Sequence, residues 1–278
     1  GSTFKIVTLA SAINEGKVDI FKEHFYDSGS IKVANSTLHC WKRKGHGDET
    51  FIQVVENSCN PGFVNLGQRL GKETLFKYIT ELGFGKKTGI DLNGEATGIL
   101  FNLDKVGPVE LATTAFGQGI SVTALQQVTA VSAIVNGGTL YTPYIVSSVG
   151  DDSKSPVIKK ENIITKETSD VVKYALESVV ANGSGRNAYI ENYRIGGKTG
   201  TAQKVGSDGR YMQGNYVLSF IGFMPADNPD YVMYIAIDHA KGVTQYGGVV
   251  SAPIARNVFK DIISIHDIKE DTKGIPKS

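Results

Sequence analysis

Cysteine is scarce in this chain: Cys40 and Cys59 are the only two among 278 residues. So few exclude a small scaffold built on disulfides. They leave a reduced pair, a single disulfide, or part of a metal site. Tryptophan is scarcer still, and the lone Trp41 is expected to pack in the core rather than serve as a ligand platform. A charge excess is missing as well. Lys and Arg number 29 against 28 Asp and Glu, a net charge of +1. That balance gives no case for nucleic acid or an acidic membrane surface as partner. No apolar run reaches the roughly 18 residues that span a bilayer, and no signal peptide is visible. Because the chain opens inside a motif, it is expected to be cut from something longer. Repeats and low-complexity tracts are absent. What remains is ordinary globular composition, 41% hydrophobic and 21% charged, enough for a sizeable core without a clear domain boundary.

The first distinctive feature is Ser2-Thr3-Phe4-Lys5. It opens an apolar-periodic stretch, Ile6 to Ile13, that predicts a helix from Ser2 to about Asn14, ended by Gly16. Residues three apart share a helix face, so a hydroxyl and an amine meet where the helix begins. A serine alcohol is a poor nucleophile until a base takes its proton. Lysine can be that base if its pKa is drawn down, and a helix N-terminus disfavours the ammonium form. Taken alone, Ser-x-x-Lys is weak, and a solvated helix start is the plainer reading.

Along the chain, residues 20–50 read as irregular and polar. Helices are expected at Thr50 to Ser58, Phe63 to Leu70, Lys72 to Leu82, Ala124 to Val135 and Ser169 to Val180. Tyr141 to Val149 could be a strand or an extended excursion. Three β-type runs follow: Tyr193 to Gln203, Tyr216 to Met224 and Tyr231 to His239. Asp208-Gly209 signals a hairpin turn between the first two, and Asp227-Asn228-Pro229-Asp230 a tight turn between the second pair. Val249 to Ile265 should close the chain as a helix with Pro253 in its first turn. Residues 269–278 read as a polar, frayed tail. Helices, then a meander of strands, then a helix predict an α+β fold, an antiparallel sheet covered by helices.

Two more groups change the weight of the opening motif. Ser58-Cys59-Asn60 lies between two helices. If it is locally extended, Ser58 and Asn60 point one way and Cys59 the other. Gly197-Lys198-Thr199-Gly200-Thr201-Ala202-Gln203 lies on the first of the three strands. Ser-x-x-Lys, Ser-Asp-Asn and Lys-Thr-Gly together are the signature of penicillin-binding proteins and class A β-lactamases. Here Cys59 stands where that pattern has aspartate. With Phe116-Gly117-Gln118-Gly119-Ile120-Ser121-Val122-Thr123 and Phe220-Ile221-Gly222-Phe223, nearly the whole chain resembles the transpeptidase domain of a class B penicillin-binding protein. Lys87-Thr88-Gly89 repeats the third motif in a loop setting, with no threonine after it, and reads as loop structure.

The resemblance implies a penicillin-binding protein/β-lactamase-like fold over residues 1–268, followed by the polar tail. It makes Ser2 the nucleophile, Lys5 the base, Ser58 the proton relay to the leaving amine and Asn60 the group that orients Lys5 and substrate. Lys198 would help hold Lys5 neutral by like-charge repulsion. Thr199 and Thr201, on one strand face, would bind the substrate carboxylate, although plain β-propensity also accounts for threonine there. Strict alternation puts Lys198 on the opposite face. The oxyanion would sit on the backbone amides of Ser2 and Thr201. Gly200 would let the substrate backbone lie alongside as an added strand. For Phe116 to Gly119, a tight turn and a family motif are equal readings. The family normally places two strands before the serine helix. Their lack here predicts an unpaired edge at Tyr231 to His239 and a nucleophile on a frayed terminus, slow to acylate.

Both cysteines and three of the five histidines fall within residues 24–59, together with Asp27 and Asp48. Thiolates with imidazole suit zinc. The resemblance implies that Asp27 stands where many relatives carry cysteine. One reading is a structural zinc held by Asp27, Cys40, His46 and Cys59, bracing Ser58 and Asn60 from behind. Two buried free thiols and a disulfide are the others. No cofactor is required for the chemistry.

The function implied is a D,D-transpeptidase that cross-links peptidoglycan stem peptides through a serine acyl-enzyme and is acylated by β-lactams. A serine β-lactamase or D,D-carboxypeptidase is the enzymatic alternative, although no glutamate is placed by motif to activate a deacylating water. A β-lactam sensor that acylates without turnover is the other. The family also implies an upstream membrane anchor, a site on the extracytoplasmic face of the cell membrane and a cell-wall synthesis complex. The 20–50 loop points to a Gram-positive type. Elongation, division and sporulation roles stay open.

Overall fold

The computed structural model describes residues 1–206 and 211–277. The Asp208-Gly209 turn signal lies outside the described residues. A 3₁₀ turn at Ser2–Phe4 leads into α1 (Lys5–Asn14). Then come β1 (His24–Asp27), β2 (Ser30–Val33), β3 (Ser36–His39), β4 (Gly47–Thr50), α2 (Phe51–Glu56), α3 (Asn60–Leu70) and α4 (Lys72–Glu81). The middle of the chain holds α5 (Pro108–Ala115), α6 (Ala124–Val135), four short strands and α7 (Lys166–Ala181). Those strands are β5 (Leu140–Thr142), β6 (Ser148–Val149), β7 (Asp152–Ser153) and β8 (Val157–Lys160). The last part is β9 (Gly196–Val205), β10 (Tyr211–Met224), β11 (Tyr231–Asp238) and α8 (Gly247–Ile265).

β9, β10 and β11 form an antiparallel sheet in the order β11-β10-β9. Successive side chains of β10 face opposite ways. Ile221 and Phe223 enter the main core around α1, whereas Phe220 and Met224 enter a second core under α8 with Ala252, Ala255 and Phe259. The sheet is thus a partition between two helical layers. From Lys5 to Ala12 every residue of α1 is buried, which marks it as the central helix rather than an amphipathic surface one. Among the described residues β11 has no strand on its outer side, as expected.

Local chemistry sets the helix ends. Thr50 and Thr123 close capping boxes with Gln53 and Gln126, which fixes the starts of α2 and α6. The closing helix begins at Gly247, so Pro253 sits in its second turn rather than its first.

Two expectations are corrected. Residues 20–50 are not irregular. They form two antiparallel ladders, β1 with β4 and β2 with β3, whose four-residue strands are too short and polar to show period-two patterning. The tail is not frayed either. Asp271 N–H donates to Asn192 O at 2.8 Å and Ile275 N–H to Glu177 Oε1 at 3.2 Å. Glu177 is buried and gripped by Arg194 Nε and Nη2 at 3.0 and 2.8 Å.

Candidate active site

The Ser2–Phe4 turn is packed, not frayed. Phe4 N–H donates to Gly1 O at 3.0 Å, Gln127 Nε2 donates to Thr3 O at 3.1 Å, and the Phe4 ring meets Phe84 edge-on at 5.3 Å. A Cβ at Gly200, on β9, would collide with Ser219 Oγ and come within 3.1 Å of Thr3 Cγ2. The bare glycine therefore lets the serine turn close on the strand, a packing reason where a substrate-side reason was expected. Gly117, at φ +85°, turns the chain after α5 against Gly1 O, where any Cβ would clash. The Phe116 to Gly119 segment is thus a tight turn that also seats the serine.

Lys5 follows as the first residue of α1 and is fully buried. Its Nζ lies 2.9 Å from Ser58 O, 3.1 Å from Ser58 Oγ and 2.7 Å from Asn60 Oδ1, over the Phe63 ring at 5.2 Å. Burial pulls its pKa down to about 7, while the Cys59 and Cys40 thiols pull weakly the other way. The first and second motifs therefore meet at one amine, although 53 residues separate Lys5 from Ser58.

Ser58 and Asn60 do face the same amine, but not through an extended segment. Ser58 adopts φ +54°, a left-handed conformation rare outside glycine. Cys59 is extended and precedes α3, which Asn60 begins. This reversal sends Cys59 to the far side. Asn60 Nδ2 donates to His39 O at 3.1 Å, which fixes its oxygen toward Lys5.

Lys198 is also fully buried, and its Nζ donates to Thr199 O at 3.3 Å. Its pKa lies well below the usual lysine range, first through burial and then through the charge of Lys5. The expected repulsion thus registers on Lys198, whereas burial does the work on Lys5. Thr199 Oγ1 shares a hydrogen bond with Ser184 Oγ at 3.1 Å. Thr201 Oγ1 accepts from Gly247 N–H at 3.2 Å, which leaves its own proton free to donate. Lys87-Thr88-Gly89 is a loop whose Thr88 and Gly89 amides bind the Glu95 carboxylate at 2.6 and 3.1 Å.

Sequence reasoning passed over Ser184. Its amide donates to Glu56 O at 2.9 Å, so it ties the second-motif loop to β9. The only signal in the sequence is a Gly-Ser-Gly loop. It also misjudged Trp41, which is 52% exposed rather than core.

A family profile for the penicillin-binding protein transpeptidase domain matches residues 1–260. The chain belongs to that family. It is 58% identical to stage V sporulation protein D of Bacillus subtilis over 284 residues, covering 100% of this chain and 44% of that protein. It is 31% identical to the peptidoglycan D,D-transpeptidase FtsI of Escherichia coli, covering 98% of this chain and 44% of that one. The structure superposes on penicillin binding protein 3 of Mycobacterium tuberculosis, crystallised with aztreonam, with a TM-score of 0.87 at 29% identity. That match covers 100% of this chain and 65% of the other. The chain therefore spans about half the length of its curated relatives.

Behind the second motif, this penicillin-binding protein domain gathers Asp27, Cys40, His46 and Cys59, whose ligand atoms all lie within 4.8 Å of one another. His46 Nδ1 lies 2.8 Å from Asp27 Oδ2 and 3.6 Å from Cys40 Sγ. Asp27 Oδ1 accepts from Gly29 N–H at 2.8 Å. No S–S bond joins the two cysteines. Hydrogen bonding from Cys59 draws the Cys40 thiol down to about 7, and the Cys59 thiol is pushed up in turn. His46 Nε2 and Glu49 Oε2 are buried without a hydrogen-bond partner, although Glu49 Oε2 lies 3.9 Å from His46 Nδ1. Two sulfurs, one imidazole nitrogen and one carboxylate oxygen are donors of the kinds that zinc takes.

Proposed function

We propose that this chain is the catalytic domain of a D,D-transpeptidase that joins peptidoglycan stem peptides and is inactivated by β-lactams. The observation that carries this reading is the environment of Lys5. Near pH 7 about half of its amines are neutral. A neutral amine has two hydrogens and one lone pair. Ser58 O and Asn60 Oδ1 can only accept, so they take the two hydrogens. The lone pair is left for a hydroxyl, that of Ser2 or Ser58.

In the acylation step, Ser2 Oγ bonds to the carbonyl carbon of the penultimate D-alanine as its proton passes to Lys5. The resulting oxyanion is held by the Ser2 and Thr201 amides. Collapse breaks the C–N bond, and the proton returns through Ser58 to the departing D-alanine amine. An amine of a second stem peptide then attacks the ester carbonyl, gives its proton to Ser2 Oγ by way of Lys5 as the acyl C–O bond breaks, and so forms the new amide and restores Ser2. Thr201, with its proton free, binds the terminal carboxylate beside Lys198. Thr199 supports that wall through Ser184. The residues supply the acid, base and nucleophile, so no cofactor is needed.

Labelled benzylpenicillin tests the reading. A label stable for hours on the Ser2 peptide is expected and, in a separate assay with a D-alanyl-D-alanine peptide as donor, acyl transfer to an added D-amino acid. Rapid loss of label to water would favour a β-lactamase or D,D-carboxypeptidase, and a stable label without transfer would favour a sensor. Similarity to a protein named for stage V of sporulation supports a sporulation role, and the proposal places the domain on the extracytoplasmic face, behind a membrane anchor and within a wall-synthesis complex. No helix among the described residues is long and apolar enough to cross a membrane. A second observation, the buried donor set in which His46 Nδ1 faces Asp27 and Cys40, supports a structural zinc on Asp27, Cys40, His46 and Cys59 that braces Ser58 and Asn60.

A further inference from the structure

The wall formed by Thr199 and Thr201 has a far side. Thr201 Oγ1 accepts from the Gly247 amide, and the carbonyl of the next residue, Gly248, accepts from Asn187 Nδ2 at 2.8 Å. A Cβ on Gly248 would come within 2.5 Å of Ser184 O and 3.4 Å of Thr199 Cγ2, so this dipeptide packs against the Ser184 junction. Two residues of backbone reach at most about 7 Å. Asn187 therefore lies a short step beyond Thr201. It lines a concave pocket of about 580 Å³ together with Arg186, Tyr189, Glu191, Arg256 and Lys277. The pocket and the carboxylate wall thus share Gly247-Gly248, at the start of α8.

Three cations line this pocket against one carboxylate. Both guanidiniums are tethered by their inner nitrogens. Arg186 Nε donates to Gly183 O at 3.3 Å, and Arg256 Nε to Tyr189 O at 2.9 Å. Each fork keeps its two terminal nitrogens for a bidentate anion. Lys277 Nζ lies over the Tyr189 ring at 5.8 Å. Elsewhere Arg69 and Arg194 each hold a carboxylate, at 2.6 and 2.8 Å, whereas among the described residues no carboxylate pairs with Arg186, Arg256 or Lys277. Positive charge that is held in a concavity and left unneutralised raises the local concentration of anions.

We propose that this pocket receives a carboxylate of the acyl acceptor, the second stem peptide, and so steers its amine toward the acyl-enzyme. The identity of the acceptor rests on the transpeptidase reading; the pocket rests on its own charges and its place beside Thr201. The attacking amine takes the position that the D-alanine amine left, so the carboxylate next to it falls on Thr201. The rest of the acceptor leads away past Gly247-Gly248. A second carboxylate about 10 Å farther along reaches Arg186 and Arg256. The pocket acts after acylation and selects acceptors: one with a remote negative charge gains contact, and a neutral one gains nothing.

The experiment compares two acceptors of matched length. Nε-succinyl-D-lysine carries a remote carboxylate; in Nε-succinamyl-D-lysine that group is a neutral amide. Transfer from a D-alanyl-D-alanine peptide donor is measured as kcat/KM for the acceptor, in wild type and in the double variant Arg186→Gln, Arg256→Gln. Wild type should prefer the succinyl form by about threefold to tenfold, the range of one or two exposed ion pairs, and the preference should shrink as salt is raised. The double variant should use both acceptors equally, at the wild-type rate for the succinamyl form. Should that protein fail to fold, Lys277→Gln, on the exposed tail, should lower the preference by about half. Equal use of the two acceptors by wild type, a preference that survives the substitutions, or loss of both transfers by the same factor would overturn the pocket. No transfer to either acceptor in wild type would instead overturn the transpeptidase reading. Ligand-observed NMR would then decide the pocket on its own: tighter binding of the succinyl form to wild type supports it, and equal binding of the two forms overturns it.

Discussion

Asn60 Oδ1 lies 2.7 Å from Lys5 Nζ, and its amide nitrogen is held by His39 O. The side chain cannot flip without losing both contacts, so Lys5 always faces a neutral oxygen. Asn60→Asp would place a carboxylate at that distance and favour the ammonium. The Lys5 pKa should rise, and acylation at pH 7 should fall by about 10²-fold, a lower-end loss of base catalysis. Part of the rate should return at higher pH. A pH–rate profile of penicillin acylation, wild type beside variant, checks this; an unshifted profile would remove Lys5 from the role of base.

In the unaltered protein the same profile has a defined sign. Acylation follows the neutral fraction of Lys5. It should climb about tenfold per unit below pH 7 and flatten above the pKa of about 7. Stability follows the same lysine. Its folded pKa lies below its unfolded value, so the unfolded chain binds more protons between pH 7 and 10.5. This lysine's contribution therefore improves as pH rises through that window and is at its worst below pH 7. Lys5→Met should flatten that part of the stability curve while abolishing acylation, which thermal melts across pH would record.

The metal reading has its own readout. Protein purified without added metal should carry about one zinc per chain. Both thiols should resist titration until a chelator strips it. Removing the metal should lower the melting temperature, because a ligand bound only by the folded state stabilises it by about 4 kcal/mol at a thousand times its Kd. Cys59→Ser should weaken that effect. Metal-free protein with two freely titrating thiols would favour the buried-thiol reading.

The three motifs were legible because the chemistry requires particular residue types, and Lys5, Ser58 and Asn60 meet at one amine as expected. Less legible were effects that exist only after packing. Burial of Lys5, which sets its pKa, depends on the surrounding fold. The left-handed Ser58 has no signature in Ser-Cys-Asn. Trp41 looked like core because one tryptophan gives no periodicity, and its exposed place beside Asn57 depends on the β1 to β4 ladders. Those four-residue strands were read as loop. Ser184 was invisible because its role comes from Glu56 and Thr199, which are distant in sequence.

The docked tail gives a last prediction. Arg194 grips buried Glu177 with two hydrogen bonds and lies 3.3 Å from Asp227 and 3.9 Å from Asp271. Glu177 Oε1 in turn accepts the Ile275 amide. Removing the guanidinium leaves a buried carboxylate without its cation, a loss of about 3 kcal/mol. It also frees residues 269–277. Arg194→Ala should therefore melt earlier and become open to carboxypeptidase trimming. None of these groups touches Ser2, Lys5 or Lys198, so acylation per folded molecule should stay within twofold. A parallel loss of acylation and stability would instead mean that the tail clamp also shapes β9, whose first residue, Gly196, lies two positions after Arg194.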